Sequence, residues 1–329
     1  MADGRIEFCP GSDGPSGLGF LVAMKQIRWV EASDLFEGFG YDKAISALES
    51  LLESGFDPTM DHPRLHVNFD NGQGLIMPSE IGDRVGLKFV TVAPSNPAQG
   101  LDRIQGIFLL LDSATLTPLL QCDGATLTLL RTASMTATTV HRLSPPEKPI
   151  TAIFGSGPQA VAHALALRHA TSTNQIHLFA RNPTTSQAVI SRLVSEGFDA
   201  SIGDPGQLAN ADIVITATSS AQPLFAADDV KTNAIIAAVG SHDPNSREVP
   251  GELMASGSVY VESRDSALRE AGDVVMAISE GKLAESALIE LKELFGSSVD
   301  VAEDERRIYK STGMSWQDLA IMAAVEKEL

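Results

Sequence analysis

The sequence predicts an α/β protein whose main element is a doubly wound parallel sheet. An apolar strand at Ile150–Phe154 leads into a Gly-x-Gly-x-x-Ala turn at Gly155–Ala160, and a helical stretch follows the turn. From this point onward short apolar strands alternate with helical stretches such as Thr184–Glu196, which is typical of a parallel sheet with helices on both faces. The predicted strands are Ile150–Phe154, Gln175–Phe179, Ala200–Ile202, Asp212–Ala217, Ala234–Val239 and Ser258–Glu262.

The first part of the chain has a different pattern. Its strand-like segments are joined mainly by turns rather than by helices, with turn signals at Asn71-Gly72 and Pro94-Ser95-Asn96-Pro97. We therefore expect an α+β domain with a mostly antiparallel sheet. The predicted strands are Arg64–Phe69, Gly74–Met77, Val85–Val92 and Ile104–Asp112, and the predicted helices are Asp42–Ser54 and Gly124–Leu143.

Three further segments complete the predicted organisation. Ser144–Pro149 is a proline-rich link that predicts a stiff turn into the parallel sheet. Ser315–Leu329 carries apolar residues at helical spacing, so we expect a C-terminal helix that packs on another element. Residues 1–25 are rich in glycine and weakly patterned, which indicates a loose leader or an edge element.

Composition and charge exclude several classes of protein. The chain has 329 residues, of which 43% are hydrophobic and 20% charged, as in an ordinary globular protein of about two domains. Its formal net charge of −18 argues against nonspecific binding to nucleic acid or to an anionic membrane. No apolar run of the sequence is long enough to span a bilayer. The two cysteines, Cys9 and Cys122, have no metal-type spacing, so we expect no metal site and a reducing, cytoplasmic location.

The Gly-x-Gly-x-x-Ala turn predicts a dinucleotide site. Gly155 permits the tight turn, Gly157 leaves room for a pyrophosphate against the backbone, and Ala160 lets the helix lie close to the strand. The free amides at the start of the helix would face the phosphates. The predicted cofactor contacts in this turn are Gly155, Ser156, Gly157, Pro158 and Gln159.

The residues after the second strand of the parallel sheet predict which dinucleotide is preferred. Rossmann domains that prefer NAD usually carry an acid there, about 20 residues past the glycines, to hold the ribose 2′-hydroxyl. This chain has no acid at that point, and Arg181 is placed to bind a 2′-phosphate with help from Asn182 and Thr184. We therefore expect NADP(H) to be preferred, with NAD(H) possible.

A series of short motifs follows a fixed order along the chain. The motifs are Lys88–Val92, Asn96–Leu101, Asp123–Ala125, Leu130–Ser134, Gly155–Ala160, Val239–His242, Ser311–Met314 and Gln317–Ala320. In order and spacing, over roughly residues 57 to 325, they resemble the ornithine cyclodeaminase/mu-crystallin family.

This resemblance implies a homodimer with a split domain. Residues 1–131 plus 313–329 would form one α+β substrate-binding and dimerisation domain, and a Rossmann domain over residues 132–312 would be inserted between its two pieces. The resemblance also implies a nicotinamide cofactor and a small α-amino or α-imino acid as substrate. Further cofactor contacts are expected at Thr132, Thr218, Val239, Gly240 and Ser311.

Three cations match the positions at which the family binds a substrate carboxylate. They are Arg64, Lys88 and Arg131. Lys88 is informative by itself, because a lysine inside an otherwise apolar strand is costly unless it is paired or functional. We therefore expect a substrate clamp formed by these three residues, with Lys88 also catalytic.

The chain departs from the cyclodeaminase pattern in two places. Cyclodeaminases of the family carry an acid where this chain has His242, although Asp243 is only one residue away. They also place an acid two residues before the Met-Pro pair, where this chain has Leu75. We expect His242, with an ordinary pKa near 6.5, to donate a proton or a hydrogen bond to an imine nitrogen.

These features together predict an NAD(P)H-dependent ketimine reductase. The expected substrates are small cyclic imino acids, either Δ1-pyrroline-2-carboxylate, which gives L-proline, or Δ1-piperideine-2-carboxylate, which gives L-pipecolate. Three alternatives stay open from the sequence. They are an ornithine or lysine cyclodeaminase, an open-chain amino-acid dehydrogenase, and a protein that binds NADP and a small ligand without turnover.

Overall fold

The computed structural model describes residues 27–296 and 298–329, so the leader or edge element expected over residues 1–25 lies outside the described residues. The described strands are β1 (Arg28–Val30), β2 (Leu65–Phe69), β3 (Gly72–Ile81), β4 (Arg84–Val92), β5 (Ile104–Asp112), β6 (Pro118–Asp123), β7 (Ile150–Phe154), β8 (Gln175–Phe179), β9 (Asp199–Ile202), β10 (Ile213–Thr216), β11 (Ile235–Ala238), β12 (Gly257–Val261), β13 (Leu288–Glu290) and β14 (Arg306–Lys310). The described α-helices are α1 (Gly40–Glu53), α2 (Gly124–Arg142), α3 (Pro158–Ala170), α4 (Pro183–Ser195), α5 (Pro205–Leu208), α6 (Gly251–Met254), α7 (Arg264–Glu270), α8 (Gly272–Ser279), α9 (Leu291–Phe295) and α10 (Ser315–Glu328).

The first sheet is built from the N-terminal strands. Within the described residues its order is β1-β6-β5-β4-β3-β2, and all neighbours are antiparallel except β1, which runs parallel to β6. The predicted mostly antiparallel sheet is therefore confirmed. The sequence reading missed β1, which has only three residues, and β6, which begins at Pro118 and runs straight into α2.

The two faces of the first sheet differ in what covers them. Side chains alternate between the faces of a strand. Lys88 and Phe108 belong to the buried face, on which α2 and α10 pack. Leu87 and Ile107 belong to the opposite face and are 38% and 39% exposed. The described chain thus leaves an apolar sheet face open to solvent.

The second sheet is parallel and covered by helices on both faces. Its order within the described residues is β13-β12-β14-β11-β10-β7-β8-β9. One hydrophobic cluster joins Ile153 and Ile215 to α3 and α4, and another joins Ala152 and Val214 to α6 and α8. The predicted α/β fold class, with a doubly wound Rossmann sheet, is confirmed.

Two strands of the parallel sheet were not predicted, namely β13 at one edge and β14 inside the sheet. β14 lies between β11 and β12, and its residues are all buried. β14 contains three charged residues, so its sequence does not form an apolar run, but each of these charged side chains has partners. Arg306 and Arg307 donate to the carbonyl oxygens of Lys231 (3.0 Å) and Leu143 (2.7 Å). Lys310 forms an ion pair of 2.9 Å with a buried aspartate, so burial is compensated.

The parallel sheet is inserted between two pieces of the antiparallel domain. The chain leaves the first sheet through α2, which continues unbroken past residue 131. After β14 the chain enters α10, which packs back on β3 and β4 of the first sheet. The carboxyl ends of the parallel strands β7, β10, β11 and β14 therefore lie next to the buried face of the first sheet, where a cavity forms.

Candidate active site

The predicted site residues meet in a cavity between the two sheets. The cavity has a volume of about 210 Å³ and contains all three predicted substrate cations together with His242. It also contains six of the predicted cofactor residues, namely Thr132, Gln159, Thr218, Val239, Gly240 and Ser311. The rest of the wall is largely apolar and comes mainly from Leu75, Met77, Val90, Val92 and Ile104.

A larger groove of about 1180 Å³ joins this cavity along the Rossmann sheet. Ala217 and Thr218 line both spaces. The predicted cofactor residues in the groove are Gly155, Ser156, Gly157, Arg181 and Asn182. Pro158 and Thr184 do not line it. Pro158 is the first residue of α3, and the backbone amide of Thr184 donates to the side chain of Asn182 across 3.0 Å.

Three independent observations indicate that the groove and the adjoining cavity fit a dinucleotide. Gly155 has φ +121°, and a Cβ there would lie 2.6 Å from the carbonyl oxygen of Ala217, so only glycine fits the turn. A Cβ at Gly157 would meet no atom within 4 Å, so the chain is open on that side. Oε1 of Gln159 is buried without a hydrogen-bond partner among the described residues, which leaves it available to a bound molecule.

Lys88 lies on the buried face of β4 and is held by two partners. Its Nζ lies 2.6 Å from Oδ2 of Asp318 on α10 and 3.2 Å from the hydroxyl of Thr128 on α2. Burial lowers the pKa of Lys88 to about 8, and the negative charge of Asp318 opposes that shift. Because an ammonium carries three donors, one N–H of Lys88 is left for a substrate.

Arg131 lies on α2 beside Lys88. One terminal nitrogen donates to Oε1 of Gln317 across 3.1 Å, and Nε lies 3.7 Å from Asp318 without a hydrogen-bond partner among the described residues. Gly313 approaches this guanidinium so closely that a Cβ there would lie 2.1 Å from it. Glycine at position 313 therefore leaves the room that the guanidinium of Arg131 occupies.

Arg64 directly precedes β2 and also lines the cavity. Its Nε forms an ion pair of 2.8 Å with Glu270, and both side chains are nearly fully buried. A terminal nitrogen donates to the carbonyl oxygen of Thr312 across 2.9 Å and to that of Gly313. Burial lowers the pKa of Arg64, and Glu270 opposes the shift, so the guanidinium keeps its charge.

His242 differs from what the sequence suggested. It follows β11 and lines the cavity. Burial, together with the positive charges of Arg64, Lys310 and Arg131, lowers its pKa to about 4. The expected ordinary pKa near 6.5 is therefore corrected: at neutral pH His242 is an uncharged imidazole, which can exchange a hydrogen bond but carries no spare proton.

The acids that a cyclodeaminase would need are not in the cavity wall. Leu75 lies there as an apolar residue, as the sequence indicated. Asp243 is exposed, lies outside the lining and accepts a hydrogen bond of 2.9 Å from the amide of Asn245. Of the described residues that line this cavity, none is a carboxylate.

A group of buried polar residues supports the site. Sequence reasoning named the motif Gln317–Ala320 but gave its residues no role, and it did not single out Glu248. Asp318 and Gln317 stand behind Lys88 and Arg131, and both are fully buried. Glu248 accepts hydrogen bonds from the amides of Thr218 and Gly240, each 2.7 Å long. The signal that could have found Asp318 is an acid within the apolar stretch of the C-terminal helix, because a buried carboxylate needs a partner.

No group of three His, Cys, Asp or Glu residues within residues 27–296 and 298–329 is arranged to hold a metal ion. In the same ranges, none of the helices is long and apolar enough to cross a membrane.

Two curated proteins are similar to most of this chain. The Δ1-pyrroline-2-carboxylate reductase of Bacillus cereus is 30% identical over 288 residues, which cover 83% of this chain and 87% of that protein. The alanine dehydrogenase of Archaeoglobus fulgidus is 25% identical over 288 residues, which cover 86% of this chain and 89% of that protein.

The fold is also shared with a solved structure, and a family model covers nearly the whole chain. The structure of Thermococcus litoralis Δ1-pyrroline-2-carboxylate reductase in complex with NADH and L-proline has a TM-score of 0.86 at 22% identity, covering 92% of this chain and 97% of that one. Residues 29–329 match the model described as the ornithine cyclodeaminase/mu-crystallin family. With its inserted Rossmann sheet and its cation-lined cavity, the protein belongs to the ornithine cyclodeaminase/mu-crystallin family.

Proposed function

We propose that the protein is a nicotinamide-dependent ketimine reductase that acts on small cyclic imino acids. The leading reaction is the reduction of Δ1-pyrroline-2-carboxylate to L-proline, and the reduction of Δ1-piperideine-2-carboxylate to L-pipecolate is the next. The observation that carries this proposal is the cavity in which Arg64, Lys88 and Arg131 meet an otherwise largely apolar wall beside the dinucleotide groove. The name of the Bacillus cereus relative supports the same reaction.

The chemistry of the cavity matches a substrate with one carboxylate and an apolar ring. Arg64 and Arg131 are the two guanidiniums, and guanidiniums bind carboxylates through paired hydrogen bonds. Leu75, Met77 and Val90 would contact the ring carbons. A substrate with a second ammonium would bury that charge against these apolar side chains, which costs several kcal/mol, so we place ornithine outside the substrate range.

Lys88 is the proposed proton donor. With a pKa of about 8 it holds its proton at neutral pH, whereas His242, with a pKa of about 4, does not. The bound nicotinamide supplies the hydride. The role of Lys88 is to stabilise the imine nitrogen as it gains electron density, and the role of His242 is to hold the substrate or cofactor by a neutral hydrogen bond.

A second function is favoured by one relative. The Archaeoglobus fulgidus protein is named an alanine dehydrogenase, so reduction of an open-chain imino acid such as the imine of pyruvate uses the same family scaffold. This reaction also needs one carboxylate next to the reacting carbon, which the three cations would serve equally well. The apolar wall distinguishes the two substrates, because a five- or six-membered ring buries more apolar surface than a methyl group.

The cofactor groove supports a preference for NADP(H), with NAD(H) possible. Arg181 is exposed in the groove and forms no salt bridge within the described part of the chain. Its guanidinium is therefore available to a 2′-phosphate, next to Asn182. We propose that this pair selects the phosphorylated dinucleotide.

The open face of the first sheet supports a homodimer. In register, Leu87 pairs with Leu109, and Phe89 pairs with Ile107, so apolar side chains form continuous rows across this face. Large exposed apolar patches of this kind mark interfaces. We propose that a second copy of this chain covers the face. In this proposal residues 1–131 plus 313–329 form the substrate-binding and dimerisation domain, and residues 132–312 form the cofactor domain. We also propose a cytoplasmic location.

The test of the function is an assay of the purified protein with NADPH and with NADH. NADPH oxidation at 340 nm is followed with Δ1-pyrroline-2-carboxylate, with Δ1-piperideine-2-carboxylate, and with pyruvate plus ammonia. Ornithine with NAD+ is the control for cyclodeaminase activity. We expect the cyclic imines to be reduced with the highest kcat/KM. Proline and ammonia formed from ornithine at a comparable rate would contradict the proposal.

The test of the dimer is size-exclusion chromatography with light scattering. Leu87→Glu places a charge on the open sheet face and should yield a monomer, whereas Val194→Glu changes an exposed apolar residue on α4 and should not. A wild-type protein that is monomeric at micromolar concentration would contradict this part.

A further inference from the structure

Glu262 is a buried acid that lies next to the cavity and not in its wall. It follows β12, is 2% exposed, and accepts hydrogen bonds through both carboxylate oxygens. Oε2 accepts from the backbone amides of Thr312 (2.8 Å) and Gly313 (3.0 Å). Oε1 accepts from the hydroxyl of Ser311 (2.9 Å) and from Nε2 of Gln317 (2.5 Å). One carboxylate thus fixes the loop 311–313 and the start of α10.

Each set of these contacts leads directly to an arginine of the clamp. The carbonyl oxygens of Thr312 and Gly313, whose amides bind Glu262, accept hydrogen bonds from Arg64. The side-chain oxygen of Gln317, whose amide nitrogen binds Glu262, accepts from Arg131 across 3.1 Å. The two arginines belong to different elements of the first domain, and Glu262 belongs to the second. It is therefore the shared support of both.

The contact with Gln317 also determines the orientation of that side-chain amide. An amide group has one accepting end and one donating end, and an ionised carboxylate can only accept. While Glu262 is ionised, the nitrogen of Gln317 must face it, so the oxygen faces Arg131. A neutral amide in place of Glu262 would remove this constraint, and the reversed Gln317 would present N–H groups to a guanidinium that has only donors.

We propose that Glu262 is a positioning residue that sets the geometry of Arg64 and Arg131 for the substrate carboxylate. This inference rests on the proposed function, in which the two arginines bind that carboxylate. It predicts that Glu262 acts on substrate binding through the two arginines, and on cofactor binding to a much smaller extent through the hydroxyl of Ser311.

The first test does not depend on the reaction. Crystal structures of the wild type and of Glu262→Gln are compared at the two guanidiniums and at Gln317. We expect the substitution, which keeps the side chain the same size, to reverse the amide of Gln317 and to displace Arg131 and Arg64. Guanidinium positions that coincide in the two structures would overturn the proposal, whether or not the protein reduces cyclic imines.

The second test measures binding and kinetics. Glu262→Gln should raise KM for Δ1-pyrroline-2-carboxylate, and weaken binding of L-proline to the NADPH-loaded enzyme in calorimetry, by at least tenfold, which is about 1.4 kcal/mol. The Kd of NADPH, measured by fluorescence, should change by a much smaller factor, because only the contact of Glu262 with Ser311 connects Glu262 to the cofactor residues. An unchanged KM and an unchanged proline Kd would overturn the proposal, and so would a loss of NADPH binding as large as the loss of proline binding.

Two further variants separate positioning from a general loss of stability. Glu290→Gln is the matched control, because Glu290 is 4% exposed and is the last residue of the neighbouring strand β13. It accepts two hydrogen bonds from Arg264 and has no hydrogen bond to the residues that hold the clamp. It should lower the melting temperature and leave KM unchanged. If Glu262→Gln does not fold, Gln317→Met cuts the branch to Arg131 alone. It should raise KM severalfold, and a wild-type KM in that variant would overturn the proposal.

Discussion

Lys88 Nζ and Asp318 Oδ2 lie 2.6 Å apart in an ion pair that is almost completely removed from solvent, with Lys88 1% exposed and Asp318 fully buried. The pair joins the central part of the first sheet to the C-terminal helix. Asp318 also lies 3.7 Å from Arg131, so one carboxylate stands behind two of the three clamp cations. The carboxylate of Asp318 thus supports Lys88 and Arg131 without lining the cavity in which a substrate would bind.

The first prediction concerns this pair. Lys88→Met should cost about 3–5 kcal/mol in the free energy of unfolding, because it leaves Asp318 buried without its main partner. The double variant Lys88→Met/Asp318→Asn should recover part of that stability, since no unpaired charge remains, but no imine reduction. Urea unfolding and the NADPH assay measure the two quantities. A double variant with wild-type activity would show that Lys88 is only structural.

The second prediction concerns the pH dependence of the reaction. Because burial lowers the pKa of Lys88 to about 8, kcat/KM should fall as the pH rises through about 8, where Lys88 loses its proton. Asp318→Asn removes the charge that raises this pKa, so the limb should move to lower pH. His242→Asn should leave the limb in place and lower kcat. A limb that stays at the same pH in Asp318→Asn would contradict the assignment.

The third prediction concerns acid stability. Burial lowers the pKa of His163 to about 4, and its ring contacts the carbonyl oxygen of Gln159 (2.8 Å) and the hydroxyl of Thr136 (3.1 Å). In the unfolded chain the pKa of this histidine is near 6.5, so between about pH 4 and 6.5 the unfolded state binds more protons than the folded state. The free energy of unfolding should therefore fall as the pH drops from about 6.5 to 4, by up to about 1.4 kcal/mol per pH unit. His163→Gln should flatten this slope, and His169→Gln, an exposed change on the same helix, should not.

The fourth prediction concerns the choice of cofactor. Arg181→Ala should weaken NADPH binding by about 1.5–3 kcal/mol, the range for hydrogen bonds to charged groups, and leave NADH binding nearly unchanged. Arg192→Ala, which removes an exposed arginine paired with Glu196 on the next turn, is the control. Fluorescence titration of both dinucleotides decides the matter. A wild type that binds NADH more tightly than NADPH would show that Arg181 does not select the phosphate.

The fifth prediction concerns Gly313. It has φ +75°, and a Cβ there would lie 2.1 Å from the guanidinium of Arg131. Gly313→Ala should therefore move Arg131 and raise KM for the imine at least tenfold. Gly197→Ala is the matched control, because Gly197 has φ +86° and open space around it, so it carries the backbone strain without the contact. Equal effects on KM in the two variants would contradict this explanation.

Sequence reasoning predicted the parallel sheet well where strands are apolar and separated by helices. β7 and β8 have the predicted bounds, and β10 to β12 differ by a residue or two at their ends. It failed at β14, where Arg306, Arg307 and Lys310 are buried only because each finds a partner distant in sequence. Local patterning cannot show such partners, since they are set by the tertiary fold.

The same limit applies to the candidate site. Arg64, Lys88, Arg131 and His242 could be chosen from residue type and from the family resemblance, and the structure brings them into one cavity. The protonation state of His242 could not be predicted, because its pKa depends first on burial and then on cations that come from other elements of the fold. The supporting acid Glu262 was not found either, because its partners are about 50 residues away along the chain.

The pairing of Lys88 with Asp318 constrains the order in which the chain can fold during its synthesis. The two residues are 230 positions apart, and a ribosome adds about 5–20 residues per second, so Lys88 emerges roughly 10–50 seconds before its counter-ion. During that interval the first sheet must tolerate a lysine without its counter-ion, or it must wait for α10 before it closes. Because β14 lies inside the parallel sheet and ends only eight residues before Asp318, that sheet and the buried ion pair should both be completed only at the end of synthesis.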